Sequence, residues 1–458
     1  MGVKDLWQIL SPICEKKSLW TLQNAAVAID LSVWICENQQ IDFSGNNLYL
    51  RNLFFRTSYL LLLGVKPIFV LEGKAPELKY KTLRQRRDLQ CQSKPSGPEH
   101  VEVGRRSRIN TLQKQCEELL KCLGVSCVRS HGEAEALCAL LNLHGIVGGV
   151  ITKDSDCFLY GAQTVYRNFT ISSSGGSFEE YNMSSIEKKL SLGRNKLVAL
   201  SLLCGCDYNE KGIEGIGKES ALKFLATVSD SDVLNRLKKW REDPEDPSMS
   251  KLEKNLRQKA NLNPSFPFYD IQNEFLGQTC DVSGFFFSWK QPNLREFVLQ
   301  VERHFGWTAD YAIGKFLPLL SRWHLLHDKS GNILQLDHIV KKRTLRSILS
   351  YEVKWKDFDQ TTVEPVTYLK TKYENFIVDF EEKKKRKSKK GKKEKARVPL
   401  DDIDLLVDDM TNLSFESTKE NLNSDIFNDE SISVSDFECS ANDLLELSFI
   451  VESIVSRR

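Results

Sequence analysis

Through roughly the first 205 residues, short apolar runs alternate with longer amphipathic stretches. AVAIDLSVW (Ala26 to Trp34) is continuously apolar apart from Asp30 and Ser32, and reads as a buried strand followed by a turn. LRNLFFRTSYLLLLG (Leu50 to Gly64) repeats apolar residues at helical spacing and stops at glycine. KPIFVLEG (Lys66 to Gly73) is a second buried strand. INTLQKQCEELLKCLG (Ile109 to Gly124) is an amphipathic helix and VSCVRS after it a short strand. EAEALCALLNLHG (Glu133 to Gly145) is a further helix and GGVITKDSD (Gly148 to Asp156) a further strand. The alternation predicts an α/β fold, a mostly parallel central sheet flanked by helices.

Residues 74 to 108 break the pattern. They are basic and polar, with KYKTLRQRR expected as a helix and KPSGPEHVEVG as a flexible loop. From about 185 to 325 the chain reads as mostly helical, interrupted by REDPEDPSMS. Residues 335 to 381 form a small β-rich candidate whose clearest strand is YEVKWKDF. Beyond it the aromatic content falls, and a disordered tail is expected.

Charge sharpens this division. The formal net charge of +2 conceals 15 acids against 3 bases from Asp401 to Arg458. Residues 1 to 400 carry 61 bases against 47 acids, net +14, of which KKKRKSKKGKKEKAR (Lys383 to Arg397) supplies +10. A basic body suits a nucleic-acid partner. No run of about 18 apolar residues suggests a membrane span, and the N-terminus lacks the layout of a signal peptide. The 12 cysteines contain no CxxC pair, so a zinc site is not supported and reduced thiols are expected.

The chemistry lies in acids that recur at the carboxyl ends of the expected strands. Asp30 ends VAID, Glu72 ends IFVLE, and Asp154 and Asp156 follow GVIT. In an open parallel sheet that edge is where ligands bind. Glu133 and Glu135 open a helix, where the dipole tolerates them. Asp207 follows the apolar LVALSLLCGC. Two unit charges about 4 Å apart repel by about 4 kcal/mol at an effective dielectric near 20. Such a set must bind protons or metal, and all-oxygen ligation favours magnesium or manganese. A second motif, GIEGIGKESALKFL (Gly212 to Leu225), is a glycine-rich turn opening a helix. It reads either as a backbone-phosphate contact or as a plain helical hairpin, and it is not a Walker A loop.

These motifs closely resemble the XPG/flap-endonuclease superfamily. MGVKDLW, GEAEA (Gly132 to Ala136), DSD (Asp154 to Asp156), GCDY (Gly205 to Tyr208) and GIEGIGKESA (Gly212 to Ala221) match its ordered signatures over roughly residues 1 to 320. The resemblance implies that Asp30, Glu72, Glu133, Glu135, Asp154, Asp156 and Asp207 hold two Mg2+ ions, with Mn2+ able to substitute. It implies that Lys79 and Arg86 contact the scissile phosphate. It also implies that Gly2 and the helix-two-turn-helix residues Gly212, Gly215, Gly217 and Lys218 meet DNA, with a K+ ion at that turn. The implied organisation is a nuclease N-terminal region with its arch (1–95), an internal nuclease region (96–205), a helix-two-turn-helix region (206–330), a chromodomain-like segment (335–381) and a basic run with acidic tail (382–458).

Glutamate at position 72, the 61-residue spacing from Glu72 to Glu133, and FLYGAQTVYRNFT (Phe158 to Thr170) resemble the Gen-type, Holliday-junction-resolving branch. YEVKWKDF (Tyr351 to Phe358) resembles a chromodomain strand, with Trp355 and Phe358 at two cage positions and no aromatic near Asp337 for the third. The implied activity is two-metal hydrolysis of branched DNA, namely Holliday junctions, 5′ flaps and replication forks. A homodimer on junction DNA and a monomer in solution are expected, with no membrane partner. A nuclear location follows from the basic run, with PLDDIDLLVDDM (Pro399 to Met410) a candidate export signal. The alternatives are a monomeric 5′-flap endonuclease or exonuclease and a non-catalytic chromatin or DNA scaffold.

Overall fold

The computed structural model describes residues 2–39, 47–80, 98–171, 176–243, 249–279, 284–327, 333–345 and 348–395. The chain divides into two units, residues 1–323 and 324–458.

The first unit is built on a seven-stranded sheet. Its strands are β1 (Glu15–Ser18), β2 (Ala26–Asp30), β3 (Lys66–Leu71), β4 (Ser126–Arg129), β5 (Gly149–Ile151), β6 (Thr164–Thr170) and β7 (Ser177–Asn182), in the order β1-β7-β6-β5-β2-β3-β4. From β6 to β4 every pairing is parallel, and β7 and β1 add antiparallel strands at one edge. Parallel strands need covering on both faces, which is why β2, β3 and β5 read as unbroken apolar runs. Helices supply the cover: α1 (Leu6–Leu10), α2 (Leu31–Gln39), α3 (Leu48–Leu63), α4 (Pro98–Cys122) and α5 (Ala134–Leu143).

Three local outcomes differ from the sequence expectation. The run AVAIDLSVW is strand only as far as Asp30, and helix α2 starts at Leu31. Leu31, Val33, Trp34 and Ile35 are all buried, so apolar periodicity cannot distinguish this helix from a strand. KPSGPEHVEVG is not a loop from Pro98 onward, where α4 begins. Proline at a first helical position has the right φ and lacks only an N–H that would be unpaired there. The antiparallel strands β1 and β7, mostly polar in sequence, carry no apolar run to announce them.

Beyond the sheet the first unit is helical: α6 (Met183–Leu190), α7 (Arg194–Cys204), α8 (Lys218–Leu225), α9 (Val233–Glu242), α10 (Lys251–Asn261), α11 (Tyr269–Leu276), α12 (Leu294–Phe305) and α13 (Ala309–Leu326), whose final turn passes into the second unit. Phe224, Trp240, Phe266 and Phe275 fill the core of this region. Glu253 is tied there by Arg236 at 2.6 Å and by the Trp240 indole N–H at 2.9 Å.

The second unit holds an antiparallel sheet, β8 (Leu336–Leu345), β9 (Ile348–Trp355) and β10 (Thr361–Pro365), followed by α14 (Val366–Lys395). Trp355 is fully buried, donates to Thr362 Oγ1 at 2.9 Å and meets His324 and Tyr373 edge-on. It is a core residue and not the open wall of a cage. The basic run expected without structure is helical through Lys395, in keeping with the helix propensity of lysine, arginine and glutamate.

Phe69 in β3 is fully buried and meets Trp34 at a 5.5 Å ring separation. Phe69→Ala should cost about 3–5 kcal/mol, read as a lower urea midpoint. An unchanged midpoint would contradict a tightly packed centre for this sheet.

Candidate metal and nuclease site

Strand order decides where the acids go. β5, β2, β3 and β4 are adjacent and parallel, so their carboxyl ends open on one edge. Asp30 is the last residue of β2, Glu72 follows β3, and Asp154 and Asp156 follow β5. Glu133 and Glu135 stand at the start of α5, which follows β4. Asp207 comes from the loop after α7, and the amide of Lys4 donates to the Gly205 carbonyl of that loop at 3.1 Å.

Glu72, Glu133 and Glu135 each offer an oxygen within 4.8 Å of one another. Glu72 accepts the Ala134 amide at 2.9 Å and so caps α5. Glu133 is the N-cap by position, but its side chain makes no capping bond. One of its oxygens accepts from Lys79 Nζ at 2.5 Å, and the other, Oε1, is buried with no partner. Asp154 receives the Asp156 amide at 3.0 Å, while Asp156 Oδ1 is likewise buried and unpartnered.

Burial pushes the carboxyls of Asp30, Glu72, Glu135 and Asp156 up from their ordinary range, and like charges add to it. Asp30 feels Glu72 and Asp154, Glu72 feels Glu133, Glu135 feels Glu133 and Glu72, and Asp156 feels Asp154 and Asp207. Asp154 is raised to about 6 by burial and then by Asp207. Lys79 shows the converse. Burial disfavours its charge, but Glu135, Glu133 and Asp207 overcome that and raise its pKa. Two orphaned oxygens in a buried all-carboxylate set fit a hard divalent cation. Of the seven acids, Glu72, Glu133 and Glu135 bring oxygens within 4.8 Å of one another, and Lys79 is already a partial counter-charge there.

The N-terminal segment closes the site. The Val3 amide donates to Ser155 Oγ at 3.0 Å, and the Trp7 indole to the Lys153 carbonyl at 2.9 Å. Gly2 has φ +89°, and a Cβ there would collide with Asp154, Ser155 and Asp156. Glycine is therefore required beside the acids.

The glycine-rich turn lies outside the acid cluster. Gly212 has φ +58° and sits against the backbone of Leu203 to Gly205. Ile213 and Ile216 are buried, Gly217 is the N-cap of α8, and Gly215 gives its carbonyl to Lys259 Nζ at 2.8 Å. Lys218 donates to Gln8 Oε1 at 2.7 Å. Arg86 lies outside the described residues.

Sequence reasoning missed several supporting groups. Ser32 bonds the Glu72 carboxylate and accepts from Gln113 at 3.3 Å. Thr152 Oγ1 receives the Asp154 amide at 3.0 Å. Tyr160, Tyr208 and Glu274 form a hydrogen-bonded group beside the acids. Tyr160 and Tyr208 stand inside quoted motifs, whereas nothing in the spacing of α11 marks Glu274.

Comparison with known proteins agrees with this geometry. Residues 1–93 match the XPG N-terminal domain and residues 124–207 the XPG I-region. Flap endonuclease GEN of Drosophila melanogaster is 36% identical, the alignment covering 85% of this chain and 66% of that protein. Flap endonuclease GEN homolog 1 of Homo sapiens is 32% identical, with 97% and 58% covered. A crystal structure of human GEN1 in complex with Holliday junction DNA superposes with a TM-score of 0.73 at 34% identity, over 85% of this chain and 100% of that one. The chain belongs to the XPG/flap-endonuclease superfamily. Within it, the likeness to GEN flap endonucleases runs through most of this chain, which spans just under two thirds of the fly protein and less of the human one.

A carboxyl whose pKa is raised by folding stabilises the fold below its unfolded pKa, and that contribution is lost as pH rises through the folded value. For Asp154 the window runs from the ordinary aspartate value near 3.8 to about 6. Without divalent ions the melting temperature should fall by about 5 °C between pH 5 and pH 8. Millimolar Mg2+ should restore it at pH 8, and Asp154→Asn should flatten the fall. A flat wild-type profile would contradict the mutual repulsion.

Proposed function

We propose that this chain is a metal-dependent, structure-selective DNA endonuclease that cuts branched DNA and resolves Holliday junctions by paired incisions. The observation that carries the reading is the buried carboxylate cluster at the carboxyl edge of the sheet, with Glu133 Oε1 and Asp156 Oδ1 unpartnered. The likeness to GEN flap endonucleases, and to human GEN1 in complex with Holliday junction DNA, supports the choice of substrate.

Asp30, Glu72, Glu133, Glu135, Asp154, Asp156 and Asp207 would hold two Mg2+ ions, for which Mn2+ can substitute. Such ions supply Lewis-acid polarisation of the phosphodiester and activation of the attacking water. The chain's own residues do the rest. The rigid strand ends keep the carboxylates in register. Lys79, bound to Glu133 at 2.5 Å, is released as the carboxylates are neutralised, and its ammonium turns to the scissile phosphate. Arg86 serves the same phosphate. Gly2 lets the DNA backbone approach the acids, and the Gly212 to Lys218 turn grips duplex backbone around a K+ ion.

Paired incision requires two copies on one junction, from a chain monomeric in solution. Lys383 to Arg397 directs the protein to the nucleus, and Pro399 to Met410 provides for its export. The intact acid set disfavours a non-catalytic scaffold.

The test is a supercoiled plasmid that extrudes a cruciform, incubated with the full chain and Mg2+. Linear product should form without accumulation of nicked circles. Asp30→Asn should slow cleavage on the order of 10³-fold, about 4 kcal/mol of barrier, and Lys79→Ala about 10²-fold. Accumulating nicked circles would favour a single-cut 5′-flap endonuclease. No cleavage by folded protein would leave only the scaffold.

A further inference from the structure

Three polar side chains stand beside the carboxylates without being among the metal-facing acids. Tyr160 is fully buried just beyond the DSD turn, Tyr208 follows Asp207 directly, and Glu274 projects from α11. The two hydroxyls lie 2.6 Å apart, and Tyr160 donates to Glu274 Oε1 at 3.5 Å. Gln278 Nε2 donates to the same oxygen at 2.9 Å. Phe275 packs edge-on against both tyrosine rings, at 5.1 and 5.3 Å. Arg194 clamps the assembly, donating to the Leu159 carbonyl at 2.7 Å and the Phe275 carbonyl at 2.8 Å.

A pair of buried phenols has two protons to place. With no outside acceptor, one of them is left unsatisfied at a cost of about 1–3 kcal/mol. An ionised carboxylate accepts only, and Glu274 takes hydrogen bonds from both Tyr160 and Tyr208, so it is the outside acceptor the pair needs. Placing another negative charge near Glu133 is unfavourable for mere packing, since Glu133 raises the Glu274 pKa further after burial has done so. The arrangement bridges the two catalytic segments that no sheet pairing connects, the turn carrying Asp156 and the loop carrying Asp207.

We propose that Glu274, acting through Tyr160 and Tyr208, is a positioning residue that sets the spacing between the Asp156 turn and the Asp207 loop and ties it to helix α11. Its role in cleavage rests on the nuclease reading above. Its effect on metal binding is measurable without cleavage.

The experiment compares full-length wild type with Tyr160→Phe, Glu274→Gln, Glu274→Ala and the Tyr160→Phe/Glu274→Gln double variant. Mn2+ affinity is read by titration calorimetry, the Mg2+ concentration for half-maximal single-turnover cleavage by a junction assay, and junction affinity in Ca2+ by anisotropy. Each single variant should weaken Mn2+ binding about 5- to 10-fold and raise the Mg2+ midpoint by a similar factor, with junction affinity unchanged. Glu274→Gln, which keeps an acceptor oxygen, should be milder than Glu274→Ala. The double variant should be no worse than its more damaging single, because both break one chain of bonds. Wild-type Mn2+ affinity in the folded Gln and Phe variants, or strictly additive losses, would overturn the proposal. A wild-type chain that binds Mn2+ but cuts no branched DNA would overturn the nuclease reading alone, and the affinity comparison would still decide the role of Glu274.

Discussion

Mutual repulsion among carboxylates that the sheet will not let part is the constraint on which the rest of the molecule depends. The ladder pairs Asp30 with Val70, two residues before Glu72, and Ile29 with Ile151, three before Asp154. Moving these acids apart would break parallel pairing in the buried centre of the fold. Each close pair costs about 4 kcal/mol at an effective dielectric near 20, and burial adds desolvation to that. Three responses are visible. The carboxyls hold protons more tightly than usual, Lys79 reaches into the cluster, and two buried oxygens remain without partners. Divalent ions relieve all three at once, so the site is built for a charge that its own residues only partly supply.

Supporting groups divide the labour around that constraint. Glu72 does the capping of α5 that Glu133 would otherwise do, which leaves the Glu133 carboxylate to face the cluster. Ser155 takes the Val3 amide, and the absent side chain of Gly2 preserves the space beside Asp154 and Asp156. The glycine-rich turn is braced by its own buried isoleucines and by the Leu203 to Gly205 backbone. Through that backbone it connects to the loop that bears Asp207. The glycine-rich turn and the loop that bears Asp207 are thus braced as one structural element.

What the sequence revealed and what it concealed have physical reasons. Buried parallel strands must be apolar throughout, so an acid at the end of such a run, as in VAID or IFVLE, stands out before any fold is known. The helix at Leu31 stayed hidden because its first turn, Leu31, Val33, Trp34 and Ile35, is buried and shows no polar stripe. The antiparallel strands β1 and β7 were silent because their pattern is mostly polar. Glu274 could not be found at all. It sits on an ordinary amphipathic helix, and its importance comes from a tertiary meeting with Tyr160, 114 residues away. The helical start of the basic run was passed over because charge suggested solvation while its residues individually favour helix.

The most direct test of this account is the anomalous scattering of manganese in crystals of the full chain soaked with Mn2+. The account predicts two peaks among the strand-end carboxylates, about 3.5–4 Å apart, with Glu133 Oε1 and Asp156 Oδ1 among the ligands and the Lys79 ammonium withdrawn from Glu133. An empty cluster, with Lys79 still bound to Glu133 at saturating Mn2+, would contradict it.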